Sequence, residues 1–193
     1  MKKRGLIIAC CAAIPAIVLF SSLAVSGDQP SQGPKVTAKV LIKTTMGDIE
    51  VALYGESAPI TVTNFLKYVD RKFYDSTLFH RVIPDFMIQG GGYTKTMNEK
   101  PTDPPIKLEI APDLKHKPGV IAMARTPDPN SAKAQFYICD GTPSRLDGNY
   151  AAFGQVTKGM EVVHAIARVP VHSVGELQNV PKTKVVIQSI RRL

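Results

Sequence analysis

The sequence has no tryptophan and only three cysteines among its 193 residues. Cys10 and Cys11 lie in an apolar run near the N-terminus, so Cys139 is the only cysteine after residue 26. A single thiol cannot form an internal disulfide, and the sequence has no Cys-x-x-Cys pair of the kind found in redox and zinc sites. We interpret Cys139, which lies in an apolar stretch, as an unreactive buried thiol.

Motifs of several other function classes are also missing. There is no Gly-x-Ser-x-Gly sequence, which argues against a serine hydrolase, and glycines 90–92 lack the following helix that a phosphate-binding loop needs. His116, His164 and His172 show no metal-ligand spacing, and His80 is interpreted as structural. The 24 basic and 16 acidic residues are scattered without a basic stripe, so no nucleic-acid partner is expected.

Residues 1–26 have the parts of a secretory signal. Basic residues at positions 2–4 precede an apolar run from Leu6 to Val25, and small residues follow. The sequence Ala24-Val25-Ser26 fits a cleavage site with the cut after Ser26. The apolar run, at about 20 residues, is also long enough to span a bilayer as an uncleaved anchor. Either alternative predicts export, with the N-terminal flank of an anchor on the cytoplasmic side.

Residues 27–37 are rich in glycine, proline, serine and glutamine, which predicts a flexible linker. The remaining residues, 38–193, suffice for one well-cored domain. We expect contact with a membrane only through residues 1–26, if they are not cleaved. Nothing in the sequence demands more than a monomer.

The rest of the chain alternates between apolar and polar residues in short segments, the pattern of strands. Helical spacing indicates helices at 58–71 and 161–167, and the proline-rich region 93–118 is mainly loop. Closure of a sheet removes its exposed edges, so we predict a mainly β fold: a closed eight-stranded antiparallel β-barrel capped by two α-helices. The predicted strands are 40–44, 49–54, 78–83, 86–89, 120–124, 136–139, 152–156 and 183–190.

Four short stretches carry the functional information. Residues 79–91 read FHRVIPDFMIQGG, 119–124 read GVIAMA, 134–139 read AQFYIC and 146–154 read LDGNYAAFG. In order and spacing these stretches resemble the cyclophilin family of peptidyl-prolyl cis-trans isomerases, and the resemblance covers residues 38–193. It implies an enzyme that rotates X-Pro bonds in proline-containing polypeptides and helps exported proteins to fold, without a cofactor or metal.

The resemblance also implies the residues of a site. Two match the family's catalytic positions, Arg81 as the donor and Gln89 as the residue that supports it and holds the substrate backbone. Five match the proline pocket: Phe86, Met87, Tyr137, Leu146 and Tyr150. Three match the rim that contacts the residue before proline: Ala124, Arg125 and Gln135. Phe65, Phe79, Phe136 and Phe153 are interpreted as core.

Physical chemistry independently explains why an arginine suits this task. Amide resonance gives the X-Pro bond a rotation barrier of about 18–20 kcal/mol. No bond is made or broken, so the enzyme needs only to bind the twisted amide better than the planar one. The prolyl nitrogen regains a lone pair on twisting and can accept a hydrogen bond from a permanently charged guanidinium. On a strand, Arg81 and Ile83 should face one way and His80 and Val82 the other.

Four positions depart from patterns common in the family. Tyr137 stands where many members have phenylalanine, so its hydroxyl needs a partner or water. Arg125 replaces a frequent asparagine and adds a positive charge to the rim. Arg145 and Tyr150 replace the tryptophan and histidine of many eukaryotic members. The alternative functions are a non-catalytic proline-binding module or holdase and, much less favoured, a hydrolase using His80.

Overall fold

The computed structural model describes residues 33–193. The predicted signal or anchor at 1–26 and the linker residues 27–32 lie outside the described residues. Residues 33–37 have no regular secondary structure, and the first strand begins at Ala38. Within residues 33–193 no helix combines the length and the apolar character that crossing a membrane requires.

The described chain consists mainly of β-strands, with two α-helices between them. They are β1 (Ala38–Thr44), β2 (Gly47–Leu53), α1 (Pro59–Asp70), β3 (Thr77–Ile83), β4 (Met87–Thr94), β5 (Val120–Met123), β6 (Phe136–Cys139), a 3-10 turn (Ser144–Leu146), β7 (Ala152–Lys158), α2 (Met160–Ala167), β8 (Val171–Val174), β9 (Leu177–Pro181) and β10 (Val185–Arg192).

Eight of these strands close into an antiparallel barrel in the order β1, β10, β3, β4, β6, β5, β7 and β2. The predicted fold is therefore confirmed. Both predicted helices are present, and the predicted loop at 93–118 contains no strand beyond the end of β4 at Thr94.

The barrel interior is filled by side chains from alternate strand positions. Ile42, Val51, Ile88 and Ile138 are all fully buried and belong to one apolar cluster. The predicted core phenylalanines join it and are at most 1% exposed. Burial of apolar area at about 25 cal/mol per Å² makes this cluster the main stabilising element of the fold.

Helix α1 joins the core through Phe65. Pro59 fits the first turn, where its missing N–H costs nothing. The backbone N–H groups of Ile60 and Thr61 donate to the carboxylate of Glu109 in the 95–119 loop, which satisfies two free donors of the helix N-terminus. The Phe65 ring lies 5.2–5.6 Å, centroid to centroid, from the rings of three other buried aromatic residues: Tyr74, Phe136 and Phe153.

The hairpin of β8 and β9 was not predicted. Val171, His172 and Ser173 are all exposed, so β8 lacks the burial alternation on which strand prediction depends. The signal that could have found it is Gly175, which has a φ of 56° in the two-residue turn between the strands. Glycine reaches this left-handed conformation without strain, as tight hairpin turns require.

We predict that Phe65→Ala lowers the free energy of unfolding by about 3–5 kcal/mol, because it leaves a cavity among three aromatic rings. Urea denaturation followed by circular dichroism measures this. Ile60→Ala on the same helix is the matched control, since Ile60 is 47% exposed and its truncation should change stability by less than about 0.5 kcal/mol. Equal losses in the two variants would contradict the core assignment.

Candidate functional site

The predicted site residues lie on the outer face of the barrel, where β3, β4, β6 and β5 run side by side. Ile88 and Ile138 are register partners that belong to the interior cluster. Their neighbours along each strand therefore point outward. Gln89 and Ala122 are both register partners of Tyr137, so these three residues form one row on the outer face.

A pocket of about 120 Å³ opens on this face. Nine of the ten predicted site residues line it: Arg81, Phe86, Met87, Gln89, Ala124, Arg125, Tyr137, Leu146 and Tyr150. The tenth, Gln135, lines a second cavity of about 370 Å³. The two cavities share Gln89, Ala124 and Arg125 as wall residues, so they are adjacent parts of one groove.

Apolar side chains form the floor of the pocket. Met87, Tyr137 and Leu146 belong to a second buried cluster outside the barrel and are 2%, 4% and 9% exposed. Half-buried Phe86 and Tyr150 add two rings at the pocket mouth, and the Tyr150 ring meets that of Tyr137 edge to face with 5.9 Å between centroids. Such a surface can hold a proline ring by apolar contact.

Arg81 and Gln89 lie directly opposite each other on β3 and β4. The guanidinium Nη1 of Arg81 donates to the Gln89 Oε1 at 3.5 Å, a long hydrogen bond. Burial lowers the pKa of Arg81 from its ordinary value, and the charge of Arg145 acts in the same direction. The ordinary value is so high that the guanidinium remains charged at neutral pH.

Gln89 is also held in place by a residue of the second cavity. Its Nε2 donates to the Oε1 of Gln135 at 3.0 Å, and the Nε2 of Gln135 donates to the Oε1 of Glu99 at 3.5 Å. The amide of Gln89 therefore presents its oxygen to Arg81 and its nitrogen to Gln135. Gln135, predicted as a rim residue, also orients Gln89.

The hydroxyl of Tyr137 has the partner that the sequence required. The Nε2 of His116 lies 2.8 Å from this hydroxyl, and the Nδ1 of His116 lies 2.8 Å from Oδ1 of Asp147. The same carboxylate oxygen accepts the backbone N–H of His116 at 2.8 Å. His116 and Asp147 were not among the predicted site residues, because they lie 21 and 10 positions from Tyr137 and only the fold brings them together.

The direction of these hydrogen bonds follows from their donors and acceptors. An ionised carboxylate only accepts, so Nδ1 of His116 carries the hydrogen. When the imidazole is neutral, its Nε2 accepts from the tyrosine hydroxyl. Hydrogen bonds from the backbone N–H and ring of His116 lower the pKa of Asp147, which favours that charged state. Burial raises the pKa of Tyr137 far above its ordinary value, so the hydroxyl keeps its proton.

A second carboxylate, this one buried, fixes the turn that presents Phe86. Asp140, whose side chain is fully buried, accepts hydrogen bonds from the backbone N–H of Asp85 at 2.7 Å and from Arg168 at 3.2 Å. His164 also bonds to it. Asp85 has a φ of 58°, a left-handed conformation that aspartate tolerates better than most residues. The carboxylate of Asp140 thus stabilises a turn that positions one wall of the pocket.

The groove combines an apolar pocket with a half-buried, permanently charged donor at its edge. This arrangement can hold a prolyl ring and offer hydrogen bonds to the nitrogen of a twisted amide. The fold and the site together define a proline-binding β-barrel.

Comparisons with known proteins agree with this geometry. Residues 39–192 match the family model of the cyclophilin type peptidyl-prolyl cis-trans isomerases. A peptidyl-prolyl cis-trans isomerase of Acinetobacter baylyi is 50% identical over 157 residues, 79% of this chain and 84% of the relative. Peptidyl-prolyl cis-trans isomerase A of Dickeya dadantii is 43% identical over 183 residues, 92% and 95% of the two chains. A crystal structure of a Cryptosporidium parvum cyclophilin type isomerase has a TM-score of 0.70 at 27% identity, covering 81% of this chain and 97% of its own.

The chain therefore belongs to the cyclophilin-type peptidyl-prolyl cis-trans isomerases. Its activity is the isomerisation of X-Pro peptide bonds, and its substrates are proline-containing peptides. The family and the enzyme class predicted from the four sequence stretches are confirmed.

His80 does not follow the alternation expected for β3. The register with β4 shifts between Phe79 and Arg81. Arg81 lines the pocket and Val82 belongs to the barrel interior, as predicted. His80 instead packs against Tyr93, with 4.6 Å between ring centroids and 56° between the ring planes, and lines a cavity beside the β8–β9 hairpin.

His80 is 3% exposed, and its Nδ1 has no hydrogen-bond partner among the described residues. Burial lowers the pKa of His80 to about 4, and the nearby charge of Arg81 adds to this. The buried imidazole is therefore neutral at pH 7, in keeping with a structural role. Cys139 is also fully buried, and burial raises the pKa of its thiol to about 12, as expected for an unreactive thiol.

We predict that His80 makes the protein less stable as the pH falls from 6.5 to 4. Above pH 6.5 the imidazole is neutral in both states, whereas between the two pKa values only the unfolded chain takes up a proton. The free energy of unfolding should drop by up to about 3 kcal/mol from this residue alone. Urea denaturation at pH 7 and pH 4.5 measures it. His80→Gln and His80→Phe should both reduce the pH slope.

A slope that is the same in wild type and in both His80 variants would show that burial of this imidazole does not contribute.

Proposed function

We propose that Arg81 is the catalytic donor of this isomerase, that Gln89 orients it, and that the apolar pocket grips the prolyl ring. The observation that carries the proposal is a half-buried guanidinium at the edge of an apolar pocket, with no carboxylate partner among the described residues to neutralise it. An arginine whose only role was structural would be expected to pair with an acid at this depth.

The proposed mechanism needs only non-covalent steps. Ring contacts from Phe86, Met87 and Tyr137 hold the proline while the preceding carbonyl rotates. Arg81 donates to the prolyl nitrogen as its lone pair localises, an interaction that is stronger in the twisted state than in either planar state. Partial exclusion of water by the surrounding rings strengthens this hydrogen bond.

The competing function is a proline-binding module or holdase that uses the same groove without turnover. Such a module would need the apolar pocket but would gain little from a charged donor beside it. The pairing of Arg81 with Gln89 across β3 and β4 favours the catalytic alternative.

We predict that Arg81→Ala lowers kcat/KM for an X-Pro peptide by about 100-fold, the effect of removing one donor that acts mainly in the transition state. NMR exchange spectroscopy measures the cis-trans rate directly. Binding of the same peptide, measured by calorimetry, should weaken far less. Arg81→Lys should give an intermediate rate, because it keeps the charge and loses the planar fork.

Arg192→Ala is the control for removal of an arginine. Arg192, at the end of β10, pairs with Asp70 of α1 and does not line the pocket. This variant should isomerise the peptide at the wild-type rate. Equal rates for wild type and a folded Arg81→Ala variant would contradict the assignment of Arg81.

We also propose that the enzyme is exported and acts, as a monomer, on exported proteins, with 38–193 as the isomerase domain and 27–37 as a linker. The support is the basic, apolar and small-residue order of residues 1–26. A retained anchor would hold the domain at the outer side of the membrane through the linker, and a cleaved signal would release it.

The predicted outcome in a bacterial host is one of two products outside the cytoplasm. The mature chain either begins at Gly27 in the soluble exported fraction or keeps residues 1–26 in the membrane fraction. N-terminal sequencing after fractionation distinguishes them, and deletion of residues 2–26 should leave the chain in the cytoplasm. A full-length, intact chain in the soluble cytoplasmic fraction would refute export.

A further inference from the structure

The arginines of the described chain fall into two groups. Four form ion pairs with carboxylates, and the remaining three have no carboxylate within the 4.0 Å limit of an ion pair. The paired residues are Arg71 with Asp103, Arg168 with Asp85 and Asp140, Arg191 with Asp75, and Arg192 with Asp70. Of the unpaired three, Arg81 and Arg125 line the proline pocket. Arg145 lies over the ring of the pocket residue Phe86 and lines a neighbouring surface cavity.

Arg125 is held rigidly with one edge left open. Its Nε donates to the Asn149 carbonyl at 3.0 Å, and its Nη1 donates to the carbonyls of Thr126 and Pro127 at 2.9 and 3.2 Å. The guanidinium carbon lies 4.6 Å from the centroid of the Tyr150 ring. The two hydrogens on Nη2 have no protein acceptor among the described residues, so they remain available to a ligand.

Arg145 occupies the other side of the pocket. It lies in the 3-10 turn, and its guanidinium carbon is 4.6 Å from the centroid of the Phe86 ring. None of its five N–H donors has a protein acceptor in the described part of the chain. Stacking therefore holds the guanidinium beside the pocket and leaves its full hydrogen-bonding capacity free.

Carboxylates do not offset these charges at the pocket. None of the nine residues that line it is acidic. Asp147, close in sequence to Arg145, is already engaged by His116. Asp85, which lines the same surface cavity as Arg145, is paired with Arg168. Glu99 lies in the second cavity, which Arg125 also lines, but forms no ion pair with Arg125. The charge of Arg145 is also one cause of the lowered pKa of Arg81, which indicates that the positive potentials of these groups overlap.

We propose that the groove prefers X-Pro segments in which an aspartate or glutamate side chain lies next to the proline. The proposal deepens the isomerase function and rests on it. Arg125 and Arg145 flank the bound proline from two sides, so a carboxylate on either side of it can reach a free fork of N–H donors. Charge-assisted pairs of this kind are stronger than neutral hydrogen bonds, especially beside desolvating rings.

The test compares two peptides that differ only in charge, one with Glu-Pro-Glu and one with Gln-Pro-Gln in the same flanking sequence. NMR exchange spectroscopy gives kcat/KM without a coupling protease, and calorimetry gives Kd. For the wild type we expect the Glu peptide to be favoured about three- to tenfold in both, from two partly exposed ion pairs. Raising the ionic strength to about 1 M should remove most of this ratio, because salt screens exposed charges.

Variants assign the preference to the two arginines. Arg145→Gln and Arg125→Gln should each reduce the Glu-to-Gln ratio, and the double variant should bring it close to one. Arg145→Lys should retain part of the ratio, because the charge remains. Lys43→Gln also removes one positive charge, but at an exposed position on β1, away from the groove. This variant should keep the wild-type ratio.

The outcomes separate this proposal from the isomerase function. Equal kcat/KM and equal Kd for the two peptides at low salt would overturn the preference, even if both are isomerised. A Kd that favours the Glu peptide without turnover of either peptide would support the preference and contradict the catalytic role of Arg81. A wild-type ratio in the double variant would show that the arginines only pack on the rings, and would also overturn the proposal.

Discussion

The antiparallel register of β3, β4 and β6 is the constraint on which the site depends. It places Arg81 opposite Gln89, and Gln89 opposite Tyr137, so the donor, its support and the pocket wall form a row across three strands. A one-residue slip would turn Gln89 into the barrel interior and Ile88 out to solvent. Burying an amide side chain without hydrogen-bond partners costs from about 1 to several kcal/mol, which disfavours the slipped register. The apolar interior that stabilises the fold therefore also fixes the geometry of the outer face.

Strands alone do not complete the pocket. Phe86 lies in a turn, Leu146 ends the 3-10 turn and Tyr150 follows it. Such segments would be mobile without further support. A carboxylate serves each of them: Asp140 accepts the backbone N–H of the first turn, and Asp147 ties the second segment to the preceding loop through His116. Loss of either carboxylate would leave donors without partners and loosen one wall, while the barrel itself would remain.

Much of the fold follows from local pattern, whereas the site residues were predicted from the resemblance of four stretches to the cyclophilin family. Strand β1 alternates between buried and more exposed positions because only one of its faces is buried. Phe65 lies on the apolar face of α1 because the helical period places it there. The exposed strand β8 carries no such signal. The His116 contact with Tyr137 was also beyond local pattern, since two segments 21 residues apart meet only after the barrel closes. The sequence did indicate the need for such a contact, because a hydroxyl in an apolar strand requires a hydrogen-bond partner.

The floor and the rim of the pocket differ in how they can discriminate between substrates. The floor is closed: the Tyr137 hydroxyl is satisfied by His116 and turned away from any ligand, so it offers the proline only a ring surface. Every substrate contains proline, and the floor therefore recognises the residue that all substrates share. The rim holds the groups with unused hydrogen-bonding capacity, Arg125 and Arg145. Selectivity among X-Pro sequences can therefore arise where these unused donors meet variable side chains, and the donors of both residues are cationic.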